Sequence, residues 1–181
     1  MKKNVWIAIA LVVAVFSFSS CGTQQSATQP TSKPVTTDTV VSVEPIKDVI
    51  SIAEALEMFQ NPDKTAAITK KYGYKLKTNY EVYRLDKFTK MYYKNCALAK
   101  LLTADKYEDY PKPMRKGVSS YIAFKDGAMI IAVFNQPAYD NLVAQVKAAG
   151  FTLDMPGNEY IYKKGNRTIA CYKDGKSVRI E

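Results

Sequence analysis

Lys71-Tyr72-Gly73-Tyr74-Lys75-Leu76 and Ala148-Ala149-Gly150-Phe151-Thr152-Leu153 read alike: each stops a helix-forming stretch at a glycine and passes into an aromatic-led strand. Glycine supplies the left-handed residue that ends a helix, and the alternation after it suits a half-buried strand. The echo continues from Glu81-Val82-Tyr83 to Glu159-Tyr160-Ile161, and from Tyr92-Tyr93-Lys94-Asn95 to Cys171-Tyr172-Lys173-Asp174. The offset is 77 residues at the glycines and 79 at the last strand. Two copies at so long a period predict a duplicated unit rather than a solenoid, with candidate repeats over 48–103 and 118–181. The expected fold class is α+β, with helices packed on antiparallel sheet in two tandem αβ repeats, one sheet face buried and the other open.

Working outward, Ser51 and Glu54 have capping-box spacing at the start of a helix whose Ile52, Leu56 and Phe59 share a face. Pro62 opens a second helical stretch that runs to Gly73. Strands are predicted over 74–77, 80–85 and 88–98, a strand or short helix over 98–106, and a proline-containing loop over 107–116. Asp126-Gly127 marks a hairpin within 120–135. Pro137 begins a helix ending near Ala149, with Leu142, Val143 and Val146 inward. Strands over 151–153, 159–164, 168–173 and 176–180 follow. The layout is similar to that of small secreted inhibitors built from tandem helix-plus-sheet repeats, the beta-lactamase inhibitory proteins. The similarity is one of topology and carries over no interface residues.

The N-terminus carries an address. Lys2 and Lys3 precede an apolar run of about fourteen residues, then Ser19, Ser20 and Cys21. The run is shorter than the ~20 residues that span a bilayer, and the layout is that of a secretory signal. Phe18-Ser19-Ser20-Cys21 resembles the lipobox of bacterial lipoproteins, with Phe where Leu is commoner. That resemblance implies cleavage before Cys21, diacylglycerol on its thiol, an acylated (palmitate-type) amine, and a stable membrane anchor from more than one chain. Residues 1–20 are then the signal peptide, 21–44 a lipidated cysteine and a flexible Ser/Thr/Pro tether, and 45–181 a single folded domain. Asp38-Thr39-Val40 resembles the short O-glycosylation motif of Bacteroidetes, which would place a glycan on Thr39. Gly22, and the lack of an acidic cluster beside Cys21, suit an outer-membrane lipoprotein facing the periplasm rather than the surface.

Composition narrows the chemistry. Removing Lys2 and Lys3 from 26 basic side chains leaves 24 against 17 acidic, a net charge of +7. Such a field favours anionic partners, and in an exported chain these are an envelope protein or an anionic glycan rather than nucleic acid. There is no histidine, which removes the commonest general base and zinc ligand. No nucleophile elbow, phosphate loop, dinucleotide fingerprint or zinc spacing is present. The sequence therefore predicts no catalytic residue, no cofactor and no metal. Asp105, Glu108 and Asp109 form an acidic knot that reads as a solvated loop. Cys96 and Cys171 are a candidate disulfide; it would close a loop of about 75 residues and contribute about 4–5 kcal/mol in the chain-entropy model. Two buried strand thiols are the alternative.

The 13 tyrosines cluster with lysines in predicted strands. Tyrosine offers rigid amphipathic area at low entropic cost, so Tyr83, Tyr92, Tyr160 and Tyr172 are the candidate binding face on the open side of the sheet. The expected function is a non-enzymatic, membrane-anchored envelope module that binds a protein or an anionic polymer. The alternatives are an inhibitor of an envelope enzyme acting through the 107–116 loop, and a hydrolase relying on carboxylates alone.

Overall fold

Residues 39–181 belong to one compact unit. The computed structural model describes residues 42–82, 86–98, 111–115 and 118–181, all in that unit. Cys21, Thr39 and the other N-terminal features lie outside the described residues, as do Tyr83 and the acidic knot.

The helices are α1 (Ile52–Gln60), α2 (Thr65–Lys71) and α3 (Gln136–Ala148), with a 3-10 turn over Pro62–Lys64. Ser51 and Glu54 form the expected capping box: the Ser51 hydroxyl accepts from Glu54 N at 3.2 Å, and the Glu54 carboxylate accepts from Ser51 N at 3.2 Å. Asn135 caps α3 by accepting from Ala138 N at 2.9 Å. Helix α3 ends at Gly150 (φ 83°), where Phe151 N donates back to Val146 O and the aromatic ring is buried. Its positive φ is the conformation that glycine adopts without strain.

The strands are β1 (Lys75–Val82), β2 (Asp86–Lys94), β3 (Cys96–Ala97), β4 (Lys112–Pro113), β5 (Ser120–Lys125), β6 (Ala128–Val133), β7 (Thr152–Met155), β8 (Glu159–Lys164), β9 (Arg167–Tyr172) and β10 (Ser177–Ile180). Eight form one antiparallel sheet in the order β1-β2-β5-β6-β10-β9-β8-β7, and β3 pairs with β4 separately. This corrects the α+β expectation. The strands do not make two helix-on-sheet units; β10 pairs with both β6 and β9 and fuses them into a single large sheet. The helices are three short segments laid on it, and the fold is β-rich. Two strand boundaries also shift. Residues 75–82 form one strand, with Asn79 at φ 49° left out of the pairing ladder. The predicted 88–98 strand breaks at Asn95, whose φ of 52° turns the chain into β3.

Register fixes the faces, because residues directly opposite across a ladder share a side. One row runs Leu76, Tyr92, Ile122, Ile131, Val178, Cys171, Tyr160. Its middle is the main core: Ile122, Ile131, Val178 and Cys171 are fully buried under Ile52, Met58, Leu142 and Val146 of the helices. Each such aliphatic side chain contributes roughly 1.5–3 kcal/mol by leaving water. On the other face, Met91, Ala123, Tyr80 and Phe88 form a smaller cluster closed by Leu98, Tyr121 and Ile130. Among the described residues no helix is long and apolar enough to cross a membrane.

Candidate functional site

Helix α3 contacts β6 and β10, in the middle of the sheet. Beyond it, towards the β7 edge, the helix side of the sheet is incompletely covered, and a cleft of about 400 Å³ opens there. Its helical wall follows from spacing: Tyr139, Val143 and Lys147 recur every four residues and form one column, beside Asp140 and Ala144. Its sheet wall follows from register. Tyr160 lies opposite Cys171 and Tyr162 opposite Ile169, so both tyrosines face α3, while Lys173 sits just past β9.

The floor is dry and the rim is wet. Tyr139, Tyr162 and Cys171 are buried, whereas Tyr160 is 40% exposed and Leu153, opposite Tyr162 on β7, is 49% exposed. Burial pushes the Tyr139 phenol well above its ordinary range, with Cys171, Tyr162, Asp140 and Tyr160 adding to the rise. Burial likewise raises Tyr162. The Cys171 thiol is pushed up to about 12 by burial; Lys147 pulls it back and Glu159 adds to it. At neutral pH the cleft therefore presents neutral phenols and a neutral thiol, and a protonated thiol is a poor nucleophile.

Charge distinguishes this cleft from the opposite face of the sheet. There, Arg179 pairs with Glu159 at 2.6 Å and with Glu181 at 3.3 Å, and Lys163 pairs with Asp154 at 2.8 Å. In the cleft, the ammonium groups of Lys147 and Lys173 have no ion-pair or hydrogen-bond partner among the described residues. The one carboxylate, Asp140, accepts from Gln136 at 2.8 Å. The arrangement suits a ligand that packs against the exposed Tyr160 ring and carries negative charge.

The sequence-predicted tyrosines do not share a surface. Tyr160 lines the cleft. Tyr172, 37% exposed, lies opposite Glu159 and Ser177 on the other side of the sheet. Tyr92 was expected on the open face and is instead a core residue, 8% exposed, its ring edge-on to Phe124 at 6.2 Å between centroids. The reason is register: Tyr92 is opposite Ile122, on the face the helices cover. Tyr83 lies outside the described residues. The predicted disulfide is also corrected, since Cys96 and Cys171 are both free and buried. Cys96 Sγ donates to Lys94 O at 3.2 Å and Ser120 O at 3.4 Å, beside β5. From β5 to β9 is three strand spacings, about 14 Å, far beyond the reach of a disulfide.

Sequence reasoning missed Tyr139, Lys147 and Lys173. The signal for the first two was their four-residue spacing through Val143, on the flank of a helix whose inward residues drew attention instead. Among the described residues no cluster of acidic or cysteine side chains is arranged to hold a metal ion. Comparison of the chain with protein-family models, with curated proteins and with solved structures finds no match.

Proposed function

We propose that this protein is a membrane-anchored envelope lipoprotein whose folded domain is a non-enzymatic binding module. Its ligand is an anionic polymer held in the cleft between α3 and the β8–β9 hairpin. The observation that carries this reading is the coincidence of Tyr139, Tyr160 and Tyr162 with two unpaired ammonium groups, Lys147 and Lys173, around one concavity. The exposed Tyr160 ring provides a stacking face for a sugar ring above the buried Tyr139 and Tyr162, and the lysines meet carboxylate or sulfate groups. The lipid anchor on Cys21 and the tether up to residue 44 belong to the same proposal, with the domain held off the outer membrane on its periplasmic side.

The test is affinity electrophoresis of the mature protein in gels containing polygalacturonate, uncharged dextran or polyglutamate. Retardation by polygalacturonate alone is expected. The double variant Lys147→Glu, Lys173→Glu should weaken it by roughly ten- to a hundred-fold, as expected for two reversed surface contacts. Retardation unchanged in that variant refutes the site. Retardation by polyglutamate instead moves the ligand to an acidic protein segment.

The enzyme-inhibitor reading has one observation in its favour. Met114, beside β4 in the loop expected to anchor an inhibitor, is 69% exposed. Met114→Ala abolishing capture of an envelope enzyme would favour it over the cleft.

A further inference from the structure

A second cleft lies on the helix side of the sheet at its other half, between the end of α1 with the following 3-10 turn and the β5–β6 hairpin. It measures about 580 Å³, within the range typical of small-molecule sites. Its interior is apolar. Met58 is fully buried at its base, and Phe59 and Phe124 pack on the core beside it. The Thr89 hydroxyl at its side is committed to the Phe124 carbonyl at 3.0 Å.

Thr65, also buried, adds a polar residue to its wall, and the charged groups are confined to the mouth. Lys90 of β2 stands opposite Phe124, Lys125 ends β5, and Asp126 occupies the turn. Of these, the Lys90 ammonium has no hydrogen-bond or ion-pair partner among the described residues. A mainly apolar trough with an unpaired ammonium at its rim matches neither a sugar, which needs polar partners along its length, nor a wholly uncharged chain, which would leave Lys90 unused.

We propose that this cleft binds a single-chain amphiphile with an anionic head group. The hydrocarbon lies along Met58, Phe59 and Phe124, and the head group meets Lys90. This site is independent of the polymer cleft, which shares none of its lining residues.

Titration calorimetry on residues 21–181 carrying Cys21→Ser, so that no acyl group of its own competes, tests the proposal. The probes are dodecanoate, dodecyl phosphate, dodecyl maltoside and acetate, each below its micellar concentration. Saturable one-to-one binding of at least one anionic dodecyl compound is expected, with no detectable acetate binding and maltoside roughly ten-fold weaker. Preference for dodecanoate identifies a free fatty acid as the source; preference for dodecyl phosphate identifies a phospholipid-like head. Shortening dodecanoate by two carbons should lower affinity by roughly fifteen-fold where both methylenes are fully buried, given the transfer free energy of a methylene. Lys90→Glu should erase the preference for the charged head, and Ala128→Trp, which fills the mouth, should abolish binding of every chain. Absence of saturable anion binding, equal binding of the maltoside, or undiminished binding by folded Ala128→Trp overturns it. The head-group comparison on the otherwise unaltered chain decides the matter even if Ala128→Trp fails to fold.

Discussion

Replacing Gln145 with Leu should destabilise the domain by about 2 kcal/mol, although it puts a hydrophobic residue in a buried position. Gln145 is 8% exposed, and its Oε1 accepts from Ile52 N at 2.9 Å, in a bond between α3 and the first residue of α1. The first amides of a helix have no partner within it. The capping box satisfies Glu54 N, but Ile52 N, in a residue only 1% exposed, depends on Gln145. Leucine leaves that donor buried and unpaired, at a cost of roughly 1–3 kcal/mol. It also removes the bond from Gln145 Nε2 to Asn141 Oδ1 at 2.7 Å, a part-exposed contact worth about 0.5 kcal/mol, and the added apolar burial offsets a similar amount. For a domain of this size the net loss lowers Tm by about 5–10 °C. Thermal melts followed by far-ultraviolet circular dichroism, with urea titrations alongside, read it directly. Gln145→Glu keeps the acceptor and should lose less than half as much. If Gln145→Leu melts within about 1 °C of the parent, the inter-helix bond contributes nothing and the account of how α1 is docked is wrong.

Three further outcomes are expected. Tyr92→Ala, which hollows the core, should cost about 3–4 kcal/mol, whereas Tyr160→Ala at the cleft rim should cost under about 1 kcal/mol; equal losses in denaturant titrations would contradict the assignment of Tyr92 to the core and Tyr160 to the site. Burial alone would raise the Glu54 carboxyl, but hydrogen bonds from Lys71, Tyr72 and Ser51 outweigh it and hold the group down from 4.5 to about 2. Its stabilisation is therefore fully present above pH 4.5 and lost as the pH falls towards 2. Glu54→Gln should be less stable by on the order of 1–2 kcal/mol at pH 7, after allowance for solvent screening, and should converge with the parent near pH 2; parallel stability curves across that window would rule this out. Burial raises Cys96 to about 11 and Cys171 to about 12, so a thiol-reactive dye at pH 7 should label both only on unfolding, and rapid labelling of the folded protein would show that the burial is wrong.

The features legible in the sequence are those set by local chemistry. Ser51 and Glu54 cap α1, Gly73 and Gly150 stop helices, and Asp126-Gly127 turns a hairpin, because each depends on the backbone within a few residues. What escaped depends on distant segments. Nothing near Ser177 states that β10 will pair with β6 as well as β9, and that pairing converts the expected helix-on-sheet units into one β-rich sheet. The faces escaped for a related reason. Alternation says that Tyr92 and Tyr93 point to opposite sides of a strand, but not which side a helix will cover, and Tyr-Lys alternation makes both sides look alike. Gln145 was invisible because a glutamine among inward-facing valines reads as a solvated position until its partner amide, 93 residues away, is in place.

The position of β10 has a consequence for how the protein is made. In chain order β10 follows every other strand of the sheet, yet in space it stands in the middle, between β6 and β9. Until Ser177–Ile180 emerge, the chain holds two separate strand groups, β1-β2-β5-β6 and β7-β8-β9, each with an unsatisfied hydrogen-bonding edge. Such edges pair readily with any other extended segment, including the same edges on neighbouring nascent chains. The sheet cannot zip progressively from its first strand, and closure waits for a long-range contact that carries a loop-closure penalty. The same order keeps the partly made chain from settling early into a finished domain, a state compatible with threading through a narrow pore, and it makes β10 the strand whose loss would divide the sheet in two.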